Sequence, residues 1–133
     1  MSLSDNERQI LVGLYLSKSE STMLDAQTCI SQQRWNAAAN RLYYALFHAI
    51  TALFISDELP VKTHNGLKTT FGKEYVMRGL ATEEEGKLLS RMSSMRERAD
   101  YDITFTATQE TIDDYAQPVN NMIKHIKELI ANH

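Results

Sequence analysis

Arg41, Tyr44 and His48 follow one another at steps of three and four residues inside an otherwise apolar run. That spacing sets them on one stripe of a helix. A guanidinium is always charged and grips carboxylate or phosphate oxygens through two parallel N–H bonds, and an imidazole exchanges protons near neutral pH. An arginine in an apolar helix is costly unless it is paired or faces a cleft. One reading is structural: Arg41 paired with a carboxylate on a neighbouring helix, Asp100 or Asp25, with His48 a hydrogen-bonded core residue. The other is a ligand-binding stripe made of Arg41, Tyr44 and His48.

A second cluster is Arg96-Glu97-Arg98-Ala99-Asp100-Tyr101-Asp102. Arg96 and Asp100 are four apart and can pair along one helical face, the bland outcome for a charged helix end. The functional outcome is a guanidinium, a carboxylate and a phenol gathered where the chain leaves a bundle. Arg96, Asp100 and Tyr101 would there hold a phosphate.

Other chemistries fail on spacing. Gly66 and Gly72-Lys73 imitate a phosphate loop, but five residues separate the glycines and Glu74 occupies the magnesium-binding Ser/Thr position. His48, His64, His125 and His133 have no His, Cys or carboxylate partner at a zinc spacing, so no metal site and no cofactor are expected. No G-x-S-x-G nucleophile motif occurs.

The elements that must position these residues read as helices. Five glycines and two prolines leave few breakers. Ser4-Asp5-Asn6-Glu7 is a capping box opening a first helix that reaches about Gln33. Ile10, Leu11, Leu14, Leu24 and Ile30 recur there only loosely, and the Ser-rich stretch from Ser17 to Thr22 leaves open whether it is one helix or two. A second helix, about Trp35 to Ser56, is alanine-rich and apolar nearly all round, the pattern of a buried bundle centre. Thr63 caps a third helix running to about Arg78 and stopped by Gly79. Thr82-Glu83-Glu84-Glu85 opens a fourth, which ends near Tyr101. Thr106 or Thr108 caps a fifth, where Ile112, Tyr115, Val119, Met122, Ile126 and Leu129 repeat at helical steps around a proline, Pro118, expected to kink it. The fold class expected is therefore all-α: an up-and-down antiparallel bundle of four to five helices. With no linker or repeat in view, residues 1–133 read as a single domain.

The bulk numbers agree. Hydrophobic residues are 43% and charged residues 23% of the chain, an ordinary globular balance that argues against disorder. A net charge of −3 supplies no global positive field for nucleic acid, though a local basic patch is compatible with it. The single cysteine, Cys29, precludes an intrachain disulfide. Met1-Ser2-Leu3-Ser4-Asp5 lacks the pattern of a signal peptide, and the apolar stretch Leu42 to Ile55 is too short for a membrane span. A cytoplasmic location without membrane association is expected.

Several runs, in order, resemble the HEPN superfamily (higher eukaryotes and prokaryotes nucleotide-binding), in its branch of short prokaryotic proteins. They are Ala37-Ala38-Ala39-Asn40-Arg41-Leu42-Tyr43-Tyr44-Ala45-Leu46-Phe47-His48-Ala49; Lys62-Thr63-His64-Asn65-Gly66; Phe71-Gly72-Lys73-Glu74; and Arg96-Glu97-Arg98-Ala99-Asp100-Tyr101. The resemblance spans roughly Leu14 to Leu129. It implies a HEPN-like helical bundle that forms a homodimer, a nucleotide or RNA ligand, and a minimal nucleotidyltransferase as partner in a toxin–antitoxin-like system. Active members are metal-independent endoribonucleases with an R-x4–6-H motif near the start of the last long helix. Here that motif is Arg96-x4-Tyr101, with tyrosine in the histidine position. A phenol of pKa near 10 is a poor general base at neutral pH. Arg96 and Tyr101 hold the motif's catalytic positions, while the sequence favours binding over cleavage. Arg41-x6-His48 matches the same spacing on the wrong helix. Two alternatives stay open: an active ribonuclease toxin using His48 with Arg41 or Arg96, and a non-catalytic helical interaction module.

Overall fold

The computed structural model describes residues 3–60 and 63–132. Met1 and Ser2 of the chain start, Lys62 of the second family-like run and His133 lie outside the described residues, as does Val61. The described chain is all-helical: α1 (Asp5–Ser31), α2 (Trp35–Ser56), α3 (His64–Phe71) with a π-helical turn (Gly72–Val76), α4 (Glu83–Tyr101) and α5 (Gln109–Ala131). Its architecture is a helical bundle centred on α2, against which α1, α4 and α5 all pack.

The α2 helix is central because it has almost no polar face. Ala38, Leu42, Leu46, Ala49, Ile50 and Leu53 are all buried, along with the Tyr43 and Phe54 rings. Removing such surface from water contributes roughly 25 cal/mol per Å², and the alanines let neighbouring helices come close. The α1 helix exploits this. It is one continuous helix, because the serines and threonine that weaken it locally are used in packing: Ser19 and Thr22 are buried with Ala26. Ser19 Oγ donates to the Ala45 carbonyl oxygen at 2.7 Å, tying the middle of α1 to α2. Tertiary contact overrides the low helix propensity of that stretch. The apolar Ile10, Leu14 and Leu24 are exposed on α1.

Three caps form as their residue types require. Ser4 with Glu7 and Thr82 with Glu85 make reciprocal capping boxes, and the Thr63 side chain accepts from Gly66 N at 2.9 Å. At α5 the cap is Thr108, not Thr106. Pro118 does not end α5. It is exposed, as is Asp114, whose carbonyl loses its helical partner to the proline, so water can replace the missing bond.

The third helix differs from its expected form. It is α-helical only to Phe71 and then widens into the π-helical turn before Gly79 stops it at φ +75°. The wider turn brings Tyr75 into the core, stacked between Phe54 (5.8 Å) and Phe71 (5.5 Å). The buried Tyr75 phenol donates to Asp57 just past the end of α2. Burial, then the bond to Asp57 and that carboxylate's charge, hold this phenol far above its ordinary value, so it stays a neutral donor. This pin fixes the far end of the α3 segment, whose first residue is His64.

No described helix is long and apolar enough to cross a membrane.

Candidate functional site

Arg96 is the best-buried charged side chain described, 5% exposed on the inner face of α4. Its neighbours are mainly aromatic. The guanidinium carbon lies 5.2 Å from the ring centre of Tyr43, 5.7 Å from Tyr44 and 6.0 Å from Tyr101. Ring quadrupoles attract a cation at these distances but do not satisfy its N–H groups. Among the described residues, the one ion pair of Arg96 runs from Nη1 to Asp100 Oδ2, one turn along α4, at 3.8 Å. Arg96 Nε is buried with no hydrogen-bond partner among the described residues. A buried guanidinium left this incomplete is costly, and an anion entering beside Asp100 would relieve it.

Asp100 is shared. Asn40 on α2 donates its side-chain N–H groups to both Asp100 oxygens, at 3.3 and 3.0 Å. The same Asn40 turns its carbonyl oxygen to Arg41, accepting from Nε at 2.9 Å and Nη2 at 2.7 Å. Arg41 also sits 5.5 Å from the Tyr44 ring centre. The structure therefore brings Arg41, Tyr44, Arg96, Asp100 and Tyr101 together, with Tyr44 between two cations and Asn40 joining α2 to α4.

This corrects one structural expectation for Arg41. Its acceptor is an amide on its own helix, not the carboxylate of Asp100 or Asp25; Asp100 is reached only through Asn40. His48 also departs from the hydrogen-bonded core residue expected for it. Its Nδ1 is buried without a hydrogen-bond partner among the described residues, and its ring is flanked by Tyr44 (6.1 Å), Phe47 (5.9 Å) and Tyr15 of α1 (6.3 Å). Burial, then the charges of Lys18 and Arg41, hold the His48 imidazole below its ordinary pKa of 6.5. His48 continues the Arg41–Tyr44 stripe toward α1.

Tyr101 ends α4 with its ring largely in solvent, 79% exposed. The next residue, Asp102, folds back on Thr104, accepting from its N–H at 3.0 Å and its hydroxyl at 2.6 Å. These bonds hold the Asp102 carboxyl below its usual range. Asn36 at the start of α2 then secures the rest of the loop, accepting from Ala107 N at 2.7 Å and donating to the Phe105 carbonyl at 3.4 Å. The chain leaves Tyr101 along a fixed path.

A residue that spacing did not single out also enters this group. His64, the first residue of α3, bonds Tyr43 Oη through Nδ1 at 2.8 Å. Its ring centre lies 5.7 Å from Tyr43, 5.9 Å from Tyr44 and 4.8 Å from Phe47. The imidazole and the Arg96 guanidinium thus flank the same two tyrosine rings. Burial, then the Arg96 charge, lower the His64 pKa, and Glu97 opposes them. Tyr43 is itself held above the usual phenol value by burial, against a hydrogen bond from Ser93 and the Arg96 charge. The one sequence signal for His64 was its place in a family-like run, since no helical spacing relates it to Arg96.

The model of the HEPN domain matches residues 12–129. A UPF0332 protein of Thermotoga maritima is 28% identical over 127 residues, covering 96% of each chain. Two proteins of Methanocaldococcus jannaschii, both bearing the name "putative toxin", are also similar. One is 27% identical over 84% of this chain and 83% of its own. The other is 25% identical over 71% of this chain and 65% of its own. With a matched segment that runs from α1 to α5 and takes in Arg41, His64 and Arg96, the chain belongs to the HEPN domain family.

Proposed function

We propose that this protein binds RNA through a backbone phosphate at Arg96, as one component of a toxin–antitoxin-like system. The observation that carries this reading is the buried Arg96 guanidinium, with Nε unpartnered and a carboxylate oxygen no nearer than 3.8 Å. A phosphate oxygen in that place would give the guanidinium short, charge-assisted bonds. Asp100 and Tyr101 border the phosphate position, and Arg41, Tyr44 and His48 extend the binding stripe along α2. The exposed Tyr101 ring beside Arg96, and the half-buried Tyr44 ring beside both arginines, suit single-stranded RNA, whose bases stack while its phosphates pair. The toxin names of the archaeal relatives support the system-level part of the reading.

A homodimer and a nucleotidyltransferase-family partner complete the proposal. Both rest on the family resemblance. The exposed Ile10, Leu14 and Leu24 on α1 support a protein contact there, because apolar patches in water mark interaction surfaces.

The test is titration of a fluorescently labelled short single-stranded RNA with wild-type protein, Arg96→Ala and Arg96→Lys, each checked for its thermal transition. Arg96→Ala is expected to weaken binding at least about tenfold, in line with the loss of charge-assisted bonds. Arg96→Lys is expected to restore part of it, as a charge without the planar fork. Equal affinity of all three folded proteins would overturn the assignment.

A further inference from the structure

The outer side of α4 carries a second, separate pair of cations. Arg91 and Arg98 fall on one helical stripe about 10 Å apart along the axis, with Ser94 between them. Both are exposed. Neither makes a hydrogen bond or ion pair among the described residues, whereas Arg8, Arg41, Arg78 and Arg96 each do. They line one cleft of about 330 Å³, closed by the segment between α4 and α5 and by the first turns of α5. No carboxylate lines this cleft, although the chain as a whole carries a net charge of −3.

We propose that this cleft binds a small phosphate monoester, with its phosphate on Arg91 and Arg98 and its organic body on the apolar floor. The inference does not depend on RNA binding at Arg96. Charge selects the anion. A phosphate monoester carries about −1.5 to −2 at neutral pH and offers three acceptor oxygens, which two guanidiniums can share. A carboxylate has one charge and two oxygens, and a single guanidinium satisfies it. The hydroxyls of Ser94 and Thr106 line the same cleft without a hydrogen bond among the described residues, so each has a donor to give. The floor is apolar: Met95 and Ala107 are buried, and Phe105 and Tyr115 are partly buried against the core. Small-molecule sites span roughly 300–1,000 Å³, so a cleft at the lower end limits the organic body to about one ring.

The cleft is built before a ligand arrives. Asn36 of α2 holds its far wall, accepting from Ala107 N at 2.7 Å and donating to the Phe105 carbonyl at 3.4 Å. Phe105 in turn carries Arg98, whose guanidinium carbon lies 4.4 Å from the ring centre. A guanidinium stacked in this way keeps its N–H edge for an anion. Asp102 lies in reach of the Arg98 charge, but Thr104 bonds its Oδ1 twice and it forms no ion pair with Arg98. Arg91 also borders the neighbouring cleft that holds Glu84, Glu85 and Asp114, and it pairs with none of them. Glu84 and Glu85 have their own partners, Lys87 at 3.5 Å and His125 at 2.7 Å. Both arginines are therefore free to turn to one anion.

The test is isothermal titration calorimetry of the full chain at fixed ionic strength with phenyl phosphate, inorganic phosphate and phenylacetate. Phenyl phosphate is expected to bind saturably. Phenylacetate has the ring but a single charge, and should bind at least about tenfold more weakly. Inorganic phosphate leaves the apolar floor bare, and should bind at least about threefold more weakly. Arg91→Gln and Arg98→Gln should each weaken phenyl phosphate at least about tenfold, the scale of a lost charge-assisted bond. Arg34→Gln, which removes an exposed cation elsewhere, should stay within about twofold, because salt screens distant charges. Arg91 has no partner to lose, so Arg91→Gln should keep the wild-type thermal transition and reads the site without a folding artefact. Absence of saturable phenyl phosphate binding, or unchanged affinity in Arg91→Gln, would overturn the site. Retention in both variants with loss in Arg96→Leu would place the probe at Arg96 and overturn it as well. Inorganic phosphate bound as tightly as phenyl phosphate would overturn the organic body and leave free phosphate as the ligand.

Discussion

Two arginines flank the Tyr44 ring at nearly equal distances, Arg41 at 5.5 Å and Arg96 at 5.7 Å, yet they are in opposite condition. Arg41 is half-buried and gives two short hydrogen bonds to Asn40. Arg96 is almost wholly buried, keeps one long contact to Asp100, and has an orphan Nε. Equal charge and a shared aromatic neighbour therefore do not make equal sites. What separates them is the supply of acceptors: α2 provides an amide oxygen one residue from Arg41, while α4 offers Arg96 a carboxylate already bonded twice by Asn40. A satisfied guanidinium holds the fold; an unsatisfied buried one is the better candidate to receive an anion.

The comparison is open to direct attack. The largest expected effect is on ligand: Arg96→Leu should reduce RNA affinity at least about tenfold while leaving a cooperative thermal transition, since replacing a poorly paired buried charge with an apolar side chain is often neutral or stabilising. Parallel RNA titration of Arg41→Leu should show a smaller loss, and an equal or larger one would reverse the ranking of the two arginines. Next in size is Asn40→Ala, which strips the acceptor from Arg41 and two donors from Asp100. Urea denaturation should show a loss of about 0.5–1.5 kcal/mol, the usual net worth of such hydrogen bonds where water can reach the partners. A change under a few tenths would mean Asn40 is not the joint between α2 and α4.

A smaller effect should appear with pH. His48 is held below its ordinary value by burial, then by Lys18 and Arg41, and His64 by burial, then Arg96. An unfolded imidazole titrates near 6.5, so on acidification the unfolded chain takes up protons first. The stabilising contribution of the neutral rings is present above that value and declines as pH falls below it. Urea midpoints measured between pH 7.5 and 5 should therefore drop, and His48→Gln should flatten the slope. An unaltered slope would show that His48 is not held neutral by its surroundings.

Much of the scaffold was legible in the sequence because its signals are local. The Ser4–Glu7 and Thr82–Glu85 boxes, the apolar run of α2 and the repeat of α5 each concern residues within a turn or two of one another. The α1 question was not legible, because the bond that joins Ser19 to the Ala45 carbonyl crosses between helices. The π-helical turn escaped for a similar reason: Gly72–Val76 widens where Tyr75 finds Phe54, Phe71 and Asp57, and periodicity within α3 carries no trace of them. Of the candidate site residues, Arg41, Tyr44 and His48 could be grouped by helical step, as could Arg96, Asp100 and Tyr101. His64 could not, because a step rule relates only residues on one helix.

By itself, then, the sequence determined which segments are helical, where α1, α3 and α4 start, which one is buried, and which family's ordered runs the chain carries. Those properties follow from side-chain types and short-range hydrogen bonding. Tertiary structure alone decided that the two arginine clusters meet around Tyr44, that Asn40 takes the acceptor's part expected of a carboxylate, and that an imidazole from α3 faces the same rings as Arg96. The physical reason is that satisfaction of a buried charge depends on which acceptors neighbouring helices bring within about 3 Å, and that is settled only when the helices pack.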